Sequence, residues 1–235
     1  MRTNSLWTKT SKHILRWIVY KNPQPSVAGF LCLTFEAKLQ EIFFEMDLDF
    51  YQDEIFEKRS FSGQEIRNKE FENCVFQQCD FTESNFSGNR FTDCTFTGCN
   101  MALVPLNRSV LNGVTFRDCK LIGVNFTACE SSMFSVSFQA CKLDFALFSN
   151  KKIIKTLFSK CSLKSVDFSG SILTGSHFQE CDLENAIFSQ TKLDQVNFLT
   201  AYNFTIDPEQ NLVKKARFSS ESLAGLLRKY DLKIE

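Results

Sequence analysis

The sequence lacks most of the residues and motifs from which enzyme and metal sites are built. Only two histidines, His13 and His177, occur in 235 residues, and there is no CxxC pair. Zinc is therefore not expected, because structural zinc sites need closely spaced Cys and His ligands. The G-x-S-x-G, H-E-x-x-H and Gly-rich phosphate-binding motifs are also missing. We expect no catalytic residues, no cofactor, no metal and no enzymatic activity.

An excess of charge of one sign and long apolar runs are absent as well. The chain has 27 Lys and Arg against 27 Asp and Glu, so its formal net charge is zero. This balance argues against direct nucleic-acid binding, which needs a basic surface. No apolar run approaches the ~18 residues of a membrane span, so no membrane association is expected.

Phenylalanine, in contrast, is abundant, with 26 residues, and it recurs at a fixed interval. Nearly every fifth residue from Phe56 to Phe126 is a large hydrophobe, and the same spacing resumes from Met133 to Phe198 after a slip of two residues. A period of five fits neither a helix nor a strand. Short self-similar repeats of this kind predict a solenoid, in which the central hydrophobe of each repeat points inward.

A small residue stands two positions before many of these hydrophobes, and it is often cysteine. We expect these cysteines to be buried, reduced and structural, because buried free cysteine behaves as a small hydrophobe. Residues 20 apart should stack, which predicts one stack of Cys79, Cys99 and Cys119 and another of Cys141, Cys161 and Cys181. Reduced thiols favour a cytoplasmic location.

The tandem pattern resembles the pentapeptide-repeat family, whose repeats follow A/C/S-D/N-F/L-x-x. Cys79-Asp80-Phe81 and Cys181-Asp182-Leu183 match well, whereas Cys119-Lys120-Leu121 matches only at the two inward positions. The resemblance implies an all-β solenoid, a right-handed quadrilateral β-helix with one pentapeptide on each side. The repeats would make about seven coils at the usual strand spacing.

The repeat divides the chain into three parts. Residues 1–45 are a non-repeat N-terminal extension, which is a helical cap, a loosely ordered tail or, if Met46 is the true start, not part of the protein. Residues 46–206 form the β-helix. Residues 207–235 form a turn, a last strand and a short C-terminal α-helix.

Two surface features invite a functional interpretation. The register slip requires a bulge, which is either merely tolerated or a recognition loop, since loops on rigid scaffolds often carry contacts. In the second case the partner-binding candidates are Ala128, Cys129, Glu130 and Ser131.

The second feature is a group of lysines, for which we expect a solvated lysine-rich side rather than an anion-binding patch. Its members are Lys142, Lys151, Lys152, Lys155, Lys160 and Lys164.

The end of the chain predicts a helix capped by Ser219 or Ser220. Its apolar residues have helical spacing, i, i+3, i+4 and i+7, and are Leu223, Leu226, Leu227 and Tyr230. This stripe must be buried against the open end of the solenoid or against a second copy. We expect a homodimer through this helix, as the resemblance to the quinolone-resistance members of the family implies.

Two classes of function remain. The first is a non-enzymatic protein-binding or scaffold module. The alternative, which the same resemblance implies, is a DNA mimic that binds DNA gyrase or topoisomerase IV and protects them against quinolones. This sequence departs from those members, because its slip is only two residues long and its charge is balanced. Continuous acidic stripes on adjacent sides would favour the mimic, and mixed charge would favour the scaffold.

Overall fold

The computed structural model describes residues 49–233. The chain divides into two units, Met1–Asp47 and Leu48–Glu235, and all the described residues belong to the second. The predictions for the N-terminal extension, residues 1–45, and for a start at Met46 therefore lie outside the described residues.

The described part of the chain is built from short parallel strands and one short α-helix. No helix among the described residues has the length and hydrophobicity to cross a membrane. The strands are β1 Phe50–Gln52, β2 Ile55–Glu57, β3 Glu70–Glu72, β4 Val75–Gln77, β5 Arg90–Thr92, β6 Thr95–Thr97, β7 Val110–Asn112, β8 Val114–Arg117, β9 Val136–Gln139, β10 Leu157–Ser159 and β11 His177–Gln179. The helix α1 is Ala224–Leu227, and 3-10 turns cover Phe126–Ala128, Ser220–Ser222 and Arg228–Tyr230.

Strand pairing shows a coil with four sides. One sheet has the order β1-β3-β5-β7 and the other β11-β10-β9-β8-β6-β4-β2, and all pairs are parallel. Isolated bridges add two further rows with the same step of 20 residues, such as Ser60↔Asp80 and Glu65↔Asn85. We number the sides by the first inward residues on each: side 1 from Tyr51 and Phe71, side 2 from Phe56 and Phe76, side 3 from Phe61 and Phe81, and side 4 from Ile66 and Phe86. The predicted β-solenoid is confirmed.

Aromatic rings fill the axis. On side 2, nine rings stack face to face with centroids 4.6–5.4 Å apart, and all but the half-buried last one are buried. They belong to Phe56, Phe76, Phe96, Phe116, Phe138, Phe158, Phe178, Phe198 and Phe218. Such buried rings dominate the hydrophobic stabilisation of a core because each removes a large apolar area from water.

Most corners are turned by a residue in the left-handed region, two positions after the inward hydrophobe. Asp53, Asn73 and Asp93 have φ values of 54°, 52° and 51°, and Gly113 continues the row with 67°. Glycine, asparagine and aspartate adopt this conformation most readily. Seven glycines occupy such corner positions, where a Cβ would be strained.

Candidate functional site

The two-residue slip forms a loop that leaves side 1 and returns to it. The backbone N–H of Glu130 donates to Ser109 at 2.9 Å, and that of Ser135 donates to Leu111 at 2.8 Å. Between these anchors, residues 131–134 have no place in the ladder, and we call them the insertion loop. Val136 then pairs with Val114, so the strands above the loop are again in register.

Met133 is not part of the core, and its predicted inward position is wrong. Its side chain is 60% exposed and its φ is 60°, so it occupies a corner conformation at the tip of the insertion loop. Phe134 covers the gap instead, and its ring meets that of Phe126 edge to face at 6.3 Å. The five-residue repeat is interrupted in the loop, because two extra residues are looped out before Val136 pairs with Val114.

The four predicted partner-binding residues differ in accessibility. Glu130 and Ser131 are exposed at the base and start of the loop, and Ala128 is half-buried at the end of a 3-10 turn. Cys129 is only 5% exposed, so its side chain cannot contact a partner, and that part of the prediction is wrong. Cys129 takes the small inward position of its turn, the position that Ser109 has on the turn before and Lys151 on the turn after.

A buried lysine of the following turn holds the loop from inside the core. Lys151 occupies the inward position before Ile153 and is 2% exposed. Its Nζ donates to the Cys129 carbonyl and to Ser131 Oγ at 3.3 Å, and it lies 4.8 Å from the centroid of the Phe134 ring. The expectation that this lysine belongs to a solvated group is wrong. Desolvation lowers the pKa of Lys151 below its ordinary value of 10.5, because burial disfavours the charged amine.

The stability of the protein should therefore depend on pH through Lys151. Its folded pKa lies below its unfolded value, so the unfolded chain binds more protons in the interval between them. The unfolding free energy of the wild type, measured relative to Lys151→Met by chemical denaturation, should rise as pH increases through that interval. The gain in unfolding free energy relative to Lys151→Met should be complete above pH 10.5, the unfolded pKa, and should be lost as the pH falls through the folded pKa. A difference that does not change with pH would contradict this assignment.

The thiols form one ladder on side 3 rather than two. Cys79, Cys99, Cys119, Cys141 and Cys181 donate to the carbonyls of Phe56, Phe76, Phe96, Phe116 and Phe158 at 3.2–3.4 Å. Cys161 stands between the last two members of the row, and all six are buried and free. The two predicted stacks join because the insertion loop restores the alignment of Cys119 with Cys141.

Native thiols in this ladder should react slowly. The hydrogen bond with Cys141 and then burial raise the pKa of Cys119 to about 12. The bond from Cys161 lowers the pKa of Cys181, but that residue is 0% exposed, so access decides its rate. Labelling with a maleimide should be slow for all described cysteines in native protein and complete in denaturant, as read by mass spectrometry. Rapid native labelling of Cys141, Cys161 and Cys181 would contradict the ladder.

The C-terminal segment packs on the last coil of its own chain. The predicted continuous helix is instead a 3-10 turn, the short α1 and a second 3-10 turn, with Ser219 Oγ accepting from Glu221 N–H at 3.2 Å. Lys229 bonds Asp207 at 2.7 Å, and Tyr230 Oη donates to Glu209 at 2.7 Å. Gly225 is required for this approach, because a Cβ there would lie 2.5 Å from the Phe204 carbonyl oxygen.

The stripe predicted for dimerisation is split between the last coil and solvent. Leu226 and Leu227 are half-buried, whereas Leu223 and Tyr230 are 44% and 50% exposed. The end of the solenoid is thus covered within the chain, and part of the apolar stripe is free on this surface of the described residues.

Charge is mixed on every side of the described solenoid. The outward row of side 3 shows this, since it passes from Asp80 and Asn100 to Lys120 and Lys142 and back to Asp182. The predicted lysine group is spread over several sides: Lys164 shares side 3 with Lys142, whereas Lys152 lies on side 1 and Lys155 and Lys160 lie at different corners. No continuous acidic or basic stripe runs along residues 49–233.

One shallow groove on side 3 is lined by paired charges. It encloses about 620 Å³ beside Lys160, Glu180, Asp182 and Tyr202. Lys160 lies 3.9 Å from Glu180, and Lys164 lies 3.2 Å from Asp182. Partial burial acts to raise the pKa of Asp182, but hydrogen bonds from Asn203 and Lys164 lower it. An ionised, ion-paired carboxylate is poorly suited to deliver a proton at neutral pH.

Other chemical groups in the described residues are dispersed. His177 projects from β11 and is exposed, as its outward position predicts, beside a groove of about 220 Å³ with Asn197 and Thr200. No cluster of three or more His, Cys, Asp or Glu side chains able to hold a metal ion occurs between residues 49 and 233. The distinctive features of this surface are therefore the insertion loop and the exposed apolar side chains.

Comparison with known proteins agrees with this architecture. Residues 69–148 match the family described as pentapeptide repeat region, and residues 161–198 match pentapeptide repeats (8 copies). The chain belongs to the pentapeptide-repeat family. It matches no curated protein sequence at a significant level.

Solved structures share the fold at low sequence identity. A trypsin-treated form of QnrB1, a plasmid-mediated fluoroquinolone resistance protein, is 15% identical, with a TM-score of 0.50 over 79% of this chain and 99% of that chain. HetL, a pentapeptide repeat protein involved in heterocyst differentiation regulation from the cyanobacterium Nostoc sp. strain PCC 7120, is 13% identical. Its TM-score is 0.42, and the match covers 77% of this chain and 93% of HetL. At 15% identity, the likeness to QnrB1 shows the fold alone.

Proposed function

We propose that the protein is a non-enzymatic protein-binding scaffold whose insertion loop contacts a protein partner. The observation that carries this proposal is the loop itself: Met133 is exposed at its tip, while Lys151 fixes its base from inside the core. A large apolar side chain in solvent contributes nothing to folding, and positive φ adds a conformational cost for methionine. Both costs are explained if Met133 contacts a partner.

The rest of the solenoid supports this function by holding the loop in place. Aromatic stacks above and below the loop, such as Phe116 on Phe138 at 5.4 Å, leave no room for the chain to shift. A rigid scaffold lowers the entropy cost of binding, because the contact residues are ordered before the partner arrives. Buried free thiols support a reducing cytoplasm as the place of action.

The loop can be tested by affinity purification followed by calorimetry with the recovered partner. The double variant Glu130→Lys, Met133→Ser should weaken binding by about tenfold or more, since an apolar contact and a charge are both lost. The matched control is Lys160→Glu, Leu157→Ser, which alters an exposed charge and a 43%-exposed leucine away from the loop. Equal weakening in both variants, or in neither, would refute the assignment to the loop. Circular dichroism must show equal thermal stability.

The alternative function is a DNA mimic that binds DNA gyrase or topoisomerase IV. The fold shared with QnrB1, a fluoroquinolone resistance protein, favours it. The mixed outward rows count against it, because a duplex mimic needs continuous negative charge. A gyrase supercoiling assay with and without a fluoroquinolone separates the two. We expect no effect on supercoiling and no protection, and protection against the drug would establish the alternative instead.

We also propose that a second copy covers the exposed part of the C-terminal stripe. The 44%-exposed Leu223 and the 50%-exposed Tyr230 lie on a segment that already closes its own solenoid. Replacing Leu223 with Asp should then convert a dimer into a monomer, since a buried unpaired charge is costly at an interface. Light scattering at micromolar concentration measures the mass. A monomeric wild type would reduce the segment to a cap.

A further inference from the structure

An exposed apolar ridge runs along the corner between sides 3 and 4, away from the insertion loop. Leu103 and Phe145 occupy this corner on the turns below and above Gly123, and they are 73% and 61% exposed. Ile122 is half-buried beside the glycine, and Leu147 is 38% exposed beside Phe145. We call Leu103, Ile122, Phe145 and Leu147 the apolar ridge. Large apolar side chains grouped in solvent mark interaction surfaces more often than single ones do.

The backbone conformation of Leu103 and Phe145 also indicates that these side chains have a function. Leu103 has a φ of 58° and Phe145 a φ of 62°, a conformation that the chain mostly assigns to Gly, Asn, Asp or other polar residues. Bulky residues adopt it only at a conformational cost, which is usually tolerated where a function requires the side chain. Neither side chain gains burial in return within the described residues.

The ridge is rigid, so it is prepared for a partner. The N–H groups of Leu103, Gly123 and Phe145 donate to the carbonyls of Ile122, Asp144 and Lys164, each at 2.9 Å. A Cβ on Gly123 would lie 2.5 Å from Leu103 Cδ2, so the leucine side chain packs over the glycine. Because neighbouring turns are about 4.8 Å apart, the three turns of the ridge extend about 10 Å along the solenoid. A single helix or strand that crosses the ridge would cover this distance.

Two lysines flank the ridge on side 3. Lys120 and Lys142 are exposed and are direct partners in a parallel bridge, so two like charges face outward side by side. Such a pair is unfavourable in the absence of a counter-charge. Asp80 lies two turns below Lys120 in the same row, and the charge of Lys120 helps to lower the pKa of that carboxyl, so Lys120 is only partly compensated. Asp144 is occupied otherwise, because its Oδ1 accepts from Ser162 Oγ and from the N–H of Lys164.

We propose that the apolar ridge docks an acidic amphipathic segment of a protein partner. Bulky apolar side chains of that segment cover Leu103 and Phe145, and its carboxylates pair with Lys120 and Lys142. The inference rests on the proposed scaffold function and adds a second contact surface to it. Charge complementarity selects the acidic segment, since a basic one would meet two adjacent, exposed lysines.

Synthetic peptides test the ridge directly by fluorescence anisotropy with the full chain. The probe is a labelled amphipathic helix with a Leu/Phe face flanked by Glu, and the comparison peptides replace Glu with Lys or the apolar face with Ser. The acidic amphipathic peptide should bind at least about tenfold more tightly than either comparison peptide. Its binding should weaken as salt is raised, because added ions screen the exposed lysines.

Variants then locate the site. Leu103→Ser with Phe145→Ser should reduce binding about tenfold, and Lys120→Glu with Lys142→Glu should reverse the preference towards the basic peptide. The control Leu157→Ser with Lys155→Glu should leave binding unchanged. Equal binding of the acidic and basic peptides, no peptide binding, or retention on anionic phospholipid vesicles without peptide binding would each overturn the ridge proposal. The scaffold function is judged separately, because ridge variants should keep the partner that the insertion loop recognises.

Discussion

Replacing Phe96 with alanine should lower the free energy of unfolding by about 3–5 kcal/mol, the usual range for a buried aromatic ring. Phe96 is 1% exposed, stacks on Phe76 at 4.6 Å and on Phe116 at 5.2 Å, and meets Phe91 edge to face at 5.5 Å. Truncation would interrupt the side 2 column and leave a cavity, because neighbouring turns are fixed by backbone bonds and cannot collapse inward. Guanidinium unfolding followed by circular dichroism measures the loss.

Thr97→Ala is the control for this change, since Thr97 follows Phe96 on the same strand but points outward. Its effect should stay within about 0.5 kcal/mol, as for most surface substitutions. A loss under 1 kcal/mol for Phe96→Ala would mean that the aromatic column contributes little to stability.

Replacing Lys151 with alanine should destabilise the protein by about 2–4 kcal/mol. The change removes a buried aliphatic stem, at about 0.8 kcal/mol per methylene, and the donor to the Cys129 carbonyl. Relief from burying the charged amine offsets only part of this loss. Lys151→Met should be milder because its side chain refills the space. The insertion loop should also become sensitive to limited proteolysis in the alanine variant.

The adjacent Lys152 provides a matched comparison, because it is exposed on side 1 and carries the same charge. Lys152→Ala should change stability by less than about 0.5 kcal/mol and leave the loop protected. If the two alanine variants behave alike, Lys151 does not anchor the loop.

The regular part of the fold was predictable because a single rule generates it. A large hydrophobe at every fifth position, with a small residue two places before it, places one inward pair on each of the four sides of a coil. The rule placed Phe76 and Cys79 correctly in the core. The sequence also carries a signal for the corners: Asn73 and Gly113 stand two places after an inward residue, where the backbone has positive φ.

The site was harder to predict because it arises where the rule is broken. Extending the count of five through the slip placed Met133 inward, whereas the looped-out backbone brings Phe134 over the gap. Composition grouped Lys151 with surface lysines. Its place two residues before Ile153 did mark it as inward, but the partner that makes burial tolerable, the Cys129 carbonyl, comes from another turn. Contacts of that kind depend on three-dimensional stacking.

The step of 20 residues also limits how the gene can change in length. Each turn bonds only to the turns before and after it, as in Thr95 N–H to Cys74 and Gly98 N–H to Arg117. Duplicating one whole turn would therefore return every later side chain to its own side and lengthen the surface without altering it. Duplicating a single pentapeptide would rotate everything after it by one side, so the rings of side 2 would meet another column. The insertion loop avoids that rotation because it absorbs two residues outside the coil before Val136 rejoins the ladder.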